Sequence, residues 1–188
     1  AAERVKIQYG TSMCYPVSSI GSHVSVVPNH QLNRKTPLHT RANVAYFGTF
    51  GYELDLNKLS DEEISEVKQQ ITFMKEYREL IQFGTFYRLK SPFEGNQTAW
   101  MTVSEDKKTA LVFWYRERNV VNADFTRVRL QGLDPDLIYR NEYNGTENYG
   151  DELMNLGLLT TDCTAGEPTS EDEPCTDYES RIYVLTAK

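Results

Sequence analysis

Along residues 1–84 the apolar positions switch between two spacings. Ala1 to Tyr9 sets Val5 and Tyr9 four apart among good helix formers, which predicts a helix. Gly10-Thr11-Ser12 and Tyr15-Pro16 end it. Residues 22–27 (SHVSVV) alternate and are β-branched, so they predict a short strand, closed by Pro28-Asn29. Residues 31–37 read as a loop, Leu38 to Phe47 as a second helix, and Tyr52 to Leu56 as a second alternating strand. The longest periodic stretch follows. Ser60 and Glu63 spell a capping box. Ile64, Val67, Ile71, Met74 and Ile81 then mark one helical face, and Gly84 stands where a C-terminal cap belongs. Helix, strand, helix, strand, helix implies parallel strands joined by right-handed crossovers. Two strands are too few for a stable sheet, so the pattern predicts further strands upstream. The first helix also lacks an initiator Met and a capping residue ahead of it. That suggests a fragment of a longer protein, with a processed N-terminus as the alternative.

After Gly84 the period drops to two. Expected strands are 85–89, 99–103, 110–116, 125–130, 137–140 and 181–185. Turn signals separate them at Pro92–Asn96, Glu105–Lys108, Asp134-Pro135 and Asn144-Gly145. Six short strands with no helix signal between them predict an antiparallel β-sandwich. The fold class is therefore α/β followed by all-β, with the boundary near Gly84. Phe86, Tyr87, Trp100, Phe113, Trp114 and Tyr115 fit a sandwich core, although such a cluster also suits a sugar-stacking face.

Composition narrows the classes. The 188 residues suit one domain, or one and part of another, and 39% apolar with 25% charged residues is a globular composition. No apolar run reaches the ~18 residues of a membrane span, and the first residues do not resemble a signal peptide. The net charge of −7 is local: residues 161–180 hold seven acidic residues and no Lys or Arg. Elsewhere acidic and basic residues balance, so no basic face remains for nucleic acid. Cys163 and Cys175 flank this acidic stretch. They can close it in an oxidising compartment or stand as reduced thiols; with Cys14 they make no disulfide scaffold.

Self-contained catalytic chemistry is missing. His23, His30 and His39 form no HExxH-type pair, which argues against a metal site, and no phosphate-cradling or nucleophile-elbow motif occurs. One segment stands out, GSHVSVVPNH at 21–30. Ligands of parallel α/β barrels bind at the C-terminal ends of the strands. Asn29 and His30 then lie at the mouth, with His23 on the strand. These three are the candidate substrate-binding residues, against the alternative of a core histidine and a turn asparagine.

Longer strings carry more. KIQYGTSMCYP (6–16), GSHVSVVPNHQ (21–31), TRANVAYFGTFGYELDL (40–56), YRELIQFGTFYRLKSPFEGN (77–96), GLDPD (132–136), DELMNLGL (151–158) and SRIYVL (180–185) resemble the C-terminal region of bacterial α-galactosidases of glycoside hydrolase family 36. The order is unbroken except at 160–179, where the acidic stretch looks like an insertion. The resemblance implies an N-terminal β-supersandwich, a central (β/α)8 barrel and a C-terminal antiparallel β-domain. Residues 1–84 would be the C-terminal segment of the barrel, its last two strands and three helices, and residues 85–188 the β-domain.

Such enzymes remove terminal α-galactosyl groups from melibiose, raffinose and stachyose with retention, without a cofactor. Retention needs two carboxylates ~5–5.5 Å apart. The resemblance places the nucleophilic Asp after the fourth barrel strand in a Lys-Trp-Asp type motif. It places the acid/base Asp after the sixth, in a Ser-Asp-Asp-Thr-Asp type motif just before the helix that here starts at Ala1. Neither motif is present in this chain, so no catalytic residue is assigned, and Asp55 and Asp61 are not promoted in their place. The resemblance further implies a homo-oligomer, a tetramer, acting in the cytoplasm on imported α-galactoside oligosaccharides. Other readings are a related α-N-acetylgalactosaminidase or galactosyl transferase, and a non-catalytic carbohydrate-binding β-sandwich.

Overall fold

A computed structural model describes residues 1–120, 125–160 and 177–188. Cys163, Cys175 and most of the acidic stretch lie outside the described residues, and Cys14 is an exposed free thiol. The chain divides into two compact units, Ala1–Gly84 and Thr85–Lys188.

The first unit runs α1 (Ala2–Thr11), β1 (Val24–Ser25), α2 (Leu38–Ala45), β2 (Tyr52–Glu53) and α3 (Asp61–Phe83). The two strands pair in parallel, Val24 with Tyr52 and Ser25 with Glu53. They are shorter than the alternation over 22–27 and 52–56 suggests, for local reasons. The Ser22 hydroxyl donates to the Ala45 carbonyl at 2.6 Å and accepts from the Phe50 amide at 3.1 Å, which binds the approach to β1 to the loop after α2. Beyond β2, the Asp55 carboxylate accepts from the Asn57 amide and starts a 3-10 turn at Leu56–Lys58.

Polar side chains join the helices to this core. Gln8 is buried in α1, and its amide donates to the Val44 and Phe47 carbonyls at 3.0 and 2.8 Å, holding α1 to the end of α2. The capping box of α3 is formed: Ser60 Oγ accepts from the Glu63 amide, and Glu63 accepts from the Ser60 amide at 2.9 Å. The buried face of α3 is Val67, Gln70, Met74 and Ile81. Ile71, expected on that face, is 36% exposed and Gln70 takes its place, because Gln70 meets the Tyr52 hydroxyl at 2.8 Å. Gly84 is not a left-handed cap. Its φ of −65° and ψ of 163° are extended, since the chain leaves α3 directly into a strand.

In the second unit β3 (Thr85–Lys90), β4 (Gln97–Val103), β5 (Thr109–Arg116), β10 (Glu179–Ala187), β7 (Ile138–Asn141) and β8 (Glu147–Tyr149) form one sheet in that order, antiparallel throughout. The last strand of the chain is thus central, pairing Ile182 with Phe113 and Leu185 with Asn141. A second ladder, β6 (Arg127–Val128) with β9 (Leu158–Leu159), sets Val128 against Leu158. Val128, Leu130, Leu133, Leu153 and Leu158 share a core with Met101, Val112, Trp114 and Tyr183 of the large sheet. The sandwich therefore has a thin second layer.

Part of that layer is α4 (Gly150–Asn155), which corrects the expectation that no helix interrupts the strands. Six residues are too few to show a helical period, and Asp151 and Glu152 in the first turn are its main local support. The strand expected at 125–130 narrows to β6, while β8 and β9 are too short to alternate visibly. Of the six aromatic strand residues Trp100, Phe113, Trp114 and Tyr115 are buried, with Trp100 and Phe113 stacked at 4.4 Å, while Phe86 and Tyr87 are half-buried. At one end of the sheet Glu179 accepts from both Arg116 and Arg181, and Arg181 lies over the Trp114 and Tyr143 rings.

Candidate functional site

The two faces of the β1–β2 pair differ. Val24 is fully buried, and the Tyr52 hydroxyl donates to Gln70 of α3, so these side chains face the helices. Alternation turns His23, Ser25 and Glu53 to the opposite side. In a closed β/α barrel that side is the lumen, and its C-terminal rim is where ligands bind.

His23 stands one residue before β1, half-buried. Its Nε2 lies 2.6 Å from Glu53 Oε2 and 3.2 Å from Arg4 Nη2, while Arg4 Nη1 donates to the Gly21 carbonyl at 3.0 Å. His23 stands out in the sequence, and neither partner does. Arg4 had the look of a helix former, and Glu53 of the polar half of an alternating strand.

Asn29 and His30 lie beyond the other end of β1, both exposed. The Asn29 side-chain oxygen accepts from the Gln31 and Leu32 amides at 3.0 Å each, its own amide donates to the Arg34 carbonyl, and its carbonyl accepts from the Asn33 amide. Asn29 thus shapes its loop, as asparagine does in side-chain-closed turns. The structure engages His23 with Arg4 and Glu53, and Asn29 with its own loop.

Two more arginines bind this corner together. Arg41 of α2 is buried; its Nη1 donates to the Ser25 carbonyl at 2.7 Å and its Nε to the Thr36 carbonyl at 3.1 Å. Burial pulls its guanidinium below the usual range, and Glu63 and Glu66 act against that. Arg34 pairs with Glu3 at 3.3 Å. The sign available in the sequence was an arginine among the apolar residues of the 38–47 helix. Tyr46 and Tyr52 hold their phenolic protons tightly, each raised first by burial and further by the Glu66 charge, Tyr52 to about 12.

Among the described residues no three His, Cys, Asp or Glu side chains group as metal ligands, and no helix is long and apolar enough to cross a membrane. Asp55 serves the turn after β2, and Asp61 opens α3. The charged groups gathered here suit holding a framework together. Glu53 faces a histidine where retaining glycoside hydrolysis needs a second carboxylate.

Residues 1–84 match the family model described as Melibiase, and residues 97–185 match the Glycosyl hydrolase family 36 C-terminal domain. The chain is 53% identical over 158 residues to alpha-galactosidase AgaA of Geobacillus stearothermophilus, covering 84% of this chain and 22% of that protein. It is 46% identical over 187 residues to alpha-galactosidase 1 of Pediococcus pentosaceus, covering 100% of this chain and 24% of that protein. Among solved structures, an AgaA variant in complex with raffinose superimposes with a TM-score of 0.90 at 46% identity, over 100% of this chain and 24% of that one. The alpha-galactosidase from Lactobacillus brevis gives 0.92 at 43% identity, over 100% and 25%. The chain spans about a quarter or less of the length of the relatives it matches.

Proposed function

Because the chain belongs to glycoside hydrolase family 36, we propose that it forms part of a retaining α-galactosidase that removes terminal α-D-galactosyl residues from melibiose, raffinose and related oligosaccharides. Residues 1–84 are the closing segment of its catalytic (β/α)8 barrel, and residues 85–188 are the C-terminal β-domain. The observation that supports this most is the match over the whole of this chain, at 43–46% identity, to about a quarter of each of two α-galactosidase structures, one of them holding raffinose.

Retention proceeds in two displacements. One carboxylate attacks the anomeric carbon. The other protonates the leaving oxygen and later takes a proton from water. Both groups belong to the polypeptide outside these residues. This stretch closes the barrel wall and holds the lumen-side rim. Asn29 and His30 border the sugar pocket, with Asn29 shaping the loop that carries His30, while His23 acts from the strand, paired with Glu53. The enzyme is a homo-oligomer, a tetramer, and works in the cytoplasm.

The test is hydrolysis of p-nitrophenyl α-galactoside and raffinose by the longer polypeptide in which this stretch is embedded. Turnover of both is expected. Exclusive turnover of an α-N-acetylgalactosaminide, or transfer to another sugar without hydrolysis, would replace this reading with one of the related activities.

A further inference from the structure

The contact between His23 Nε2 and Glu53 Oε2, at 2.6 Å, requires a proton between the two atoms. A carboxylate oxygen only accepts, so the proton sits on Nε2. Nε2 then cannot also accept from Arg4, although Arg4 Nη2 is 3.2 Å away. The guanidinium lies beside the ring and is anchored elsewhere, by Nη1 on the Gly21 carbonyl. Arg4, His23 and Glu53 thus form a line of three groups, from the first turn of α1 to the end of β2. The same turn of α1 is tied a second time, by Glu3 to Arg34. The helix side of the strands is packed by Val24 and Tyr52, so the His23–Glu53 pair stands apart from that core.

On the reading that this chain belongs to a barrel enzyme, α1 is entered from a loop on the catalytic rim, because every helix of a β/α barrel follows such a loop. We propose that Arg4, His23 and Glu53 are a positioning network that locks the entry of α1 against the lumen side of β1 and β2, and so sets the catalytic loop leading into α1. The three act on that loop through α1. His23 Nε2 is spent on Glu53, and Arg4 Nη1 on the Gly21 carbonyl. Glu53 keeps the His23 proton on Nε2, and the planar guanidinium of Arg4 holds the Gly21 carbonyl with one nitrogen while the other lies beside the imidazole, a placement that lysine cannot reproduce.

The experiment uses the full-length enzyme and p-nitrophenyl α-galactoside, with thermal midpoints measured for every variant. Glu53→Ala and His23→Ala are each expected to lower kcat by about 10- to 100-fold with KM changed by less than about 2-fold, since displaced reacting groups lose rate before they lose binding. The double variant falls no further than the worse single one. Glu53→Gln recovers most of the rate, because its amide oxygen accepts the same N–H. Four results overturn the network: unchanged kcat in Glu53→Ala, a raised KM at unchanged kcat, losses that multiply in the double variant, or a Glu53→Gln enzyme as slow as Glu53→Ala. If an alanine variant does not fold, the Glu53→Gln comparison and Arg4→Lys, expected to be slowed at an unchanged thermal midpoint, decide the matter. A wild-type enzyme with no turnover removes the enzymatic reading itself, which is a different failure.

Discussion

The Tyr52 hydroxyl donates to Gln70 at 2.8 Å, and the Gln70 amide donates in turn to Glu66 at 2.7 Å, so the second strand is bonded to the inner face of α3 through a buried glutamine. Tyr52→Phe leaves that glutamine oxygen without its donor. The expected loss is about 1 kcal/mol near neutral pH, read as a shift of the urea midpoint at constant slope.

The same pair gives a pH dependence with a definite sign. Tyr52 is raised to about 12 in the folded chain, and Tyr46 is raised as well. An unfolded tyrosine titrates near ~10. The folded state therefore holds these protons more tightly, so their contribution is complete below pH ~10 and is lost as pH rises through 12. Urea midpoints are expected to fall steeply between pH 10 and 12, and less steeply in Tyr52→Phe. A pH-independent midpoint over that window contradicts the assignment.

Gly48 has no room for a side chain. A Cβ there would lie 2.6 Å from the Ile20 carbonyl oxygen and closer still to the Ser22 hydroxyl, which is itself held by Ala45 and Phe50. Gly48→Ala is expected to destabilise by about 2 kcal/mol, since neither neighbour can give way without loosening β1. Gly51, with open space around its Cα, serves as the control and should accept alanine far more easily.

In the second unit Glu179 neutralises Arg116, whose side chain is only 8% exposed. Removing one partner of such a pair leaves a buried charge uncompensated. Glu179→Ala should therefore cost about 3 kcal/mol, well above an exposed pair such as Arg140 with Glu142. Denaturant unfolding of Glu179→Ala beside Glu142→Ala checks the contrast.

Periodic elements were legible in the sequence. The capping box at Ser60 and Glu63, the helices near 2–11 and 38–45, and the long strands over 97–103, 109–116 and 179–187 carry their own signals of period and cap. Short elements were not. β8, β9 and α4 run for three, two and six residues, below the length at which a period can be seen. The place of Ile71 failed for another reason: Tyr52 offers Gln70 a hydrogen bond, and that contact outranks apolar spacing. The candidate site was half visible. The odd GSHVSVVPNH string drew attention to His23, but Arg4 lies 19 residues before it and Glu53 well after it; the parallel register brings Glu53 to it, and the placing of α1 brings Arg4.

On the proposed function, this stretch is the barrel-closing and C-terminal part of a retaining α-galactosidase whose carboxylates lie elsewhere. The most direct test follows p-nitrophenyl α-galactoside hydrolysis by proton NMR, with the 188-residue chain and the full-length polypeptide side by side. No turnover is expected of the 188-residue chain, and turnover by the full-length protein with α-galactose as the first-formed anomer. Hydrolysis by the 188 residues alone, or β-galactose as the first product, would contradict it.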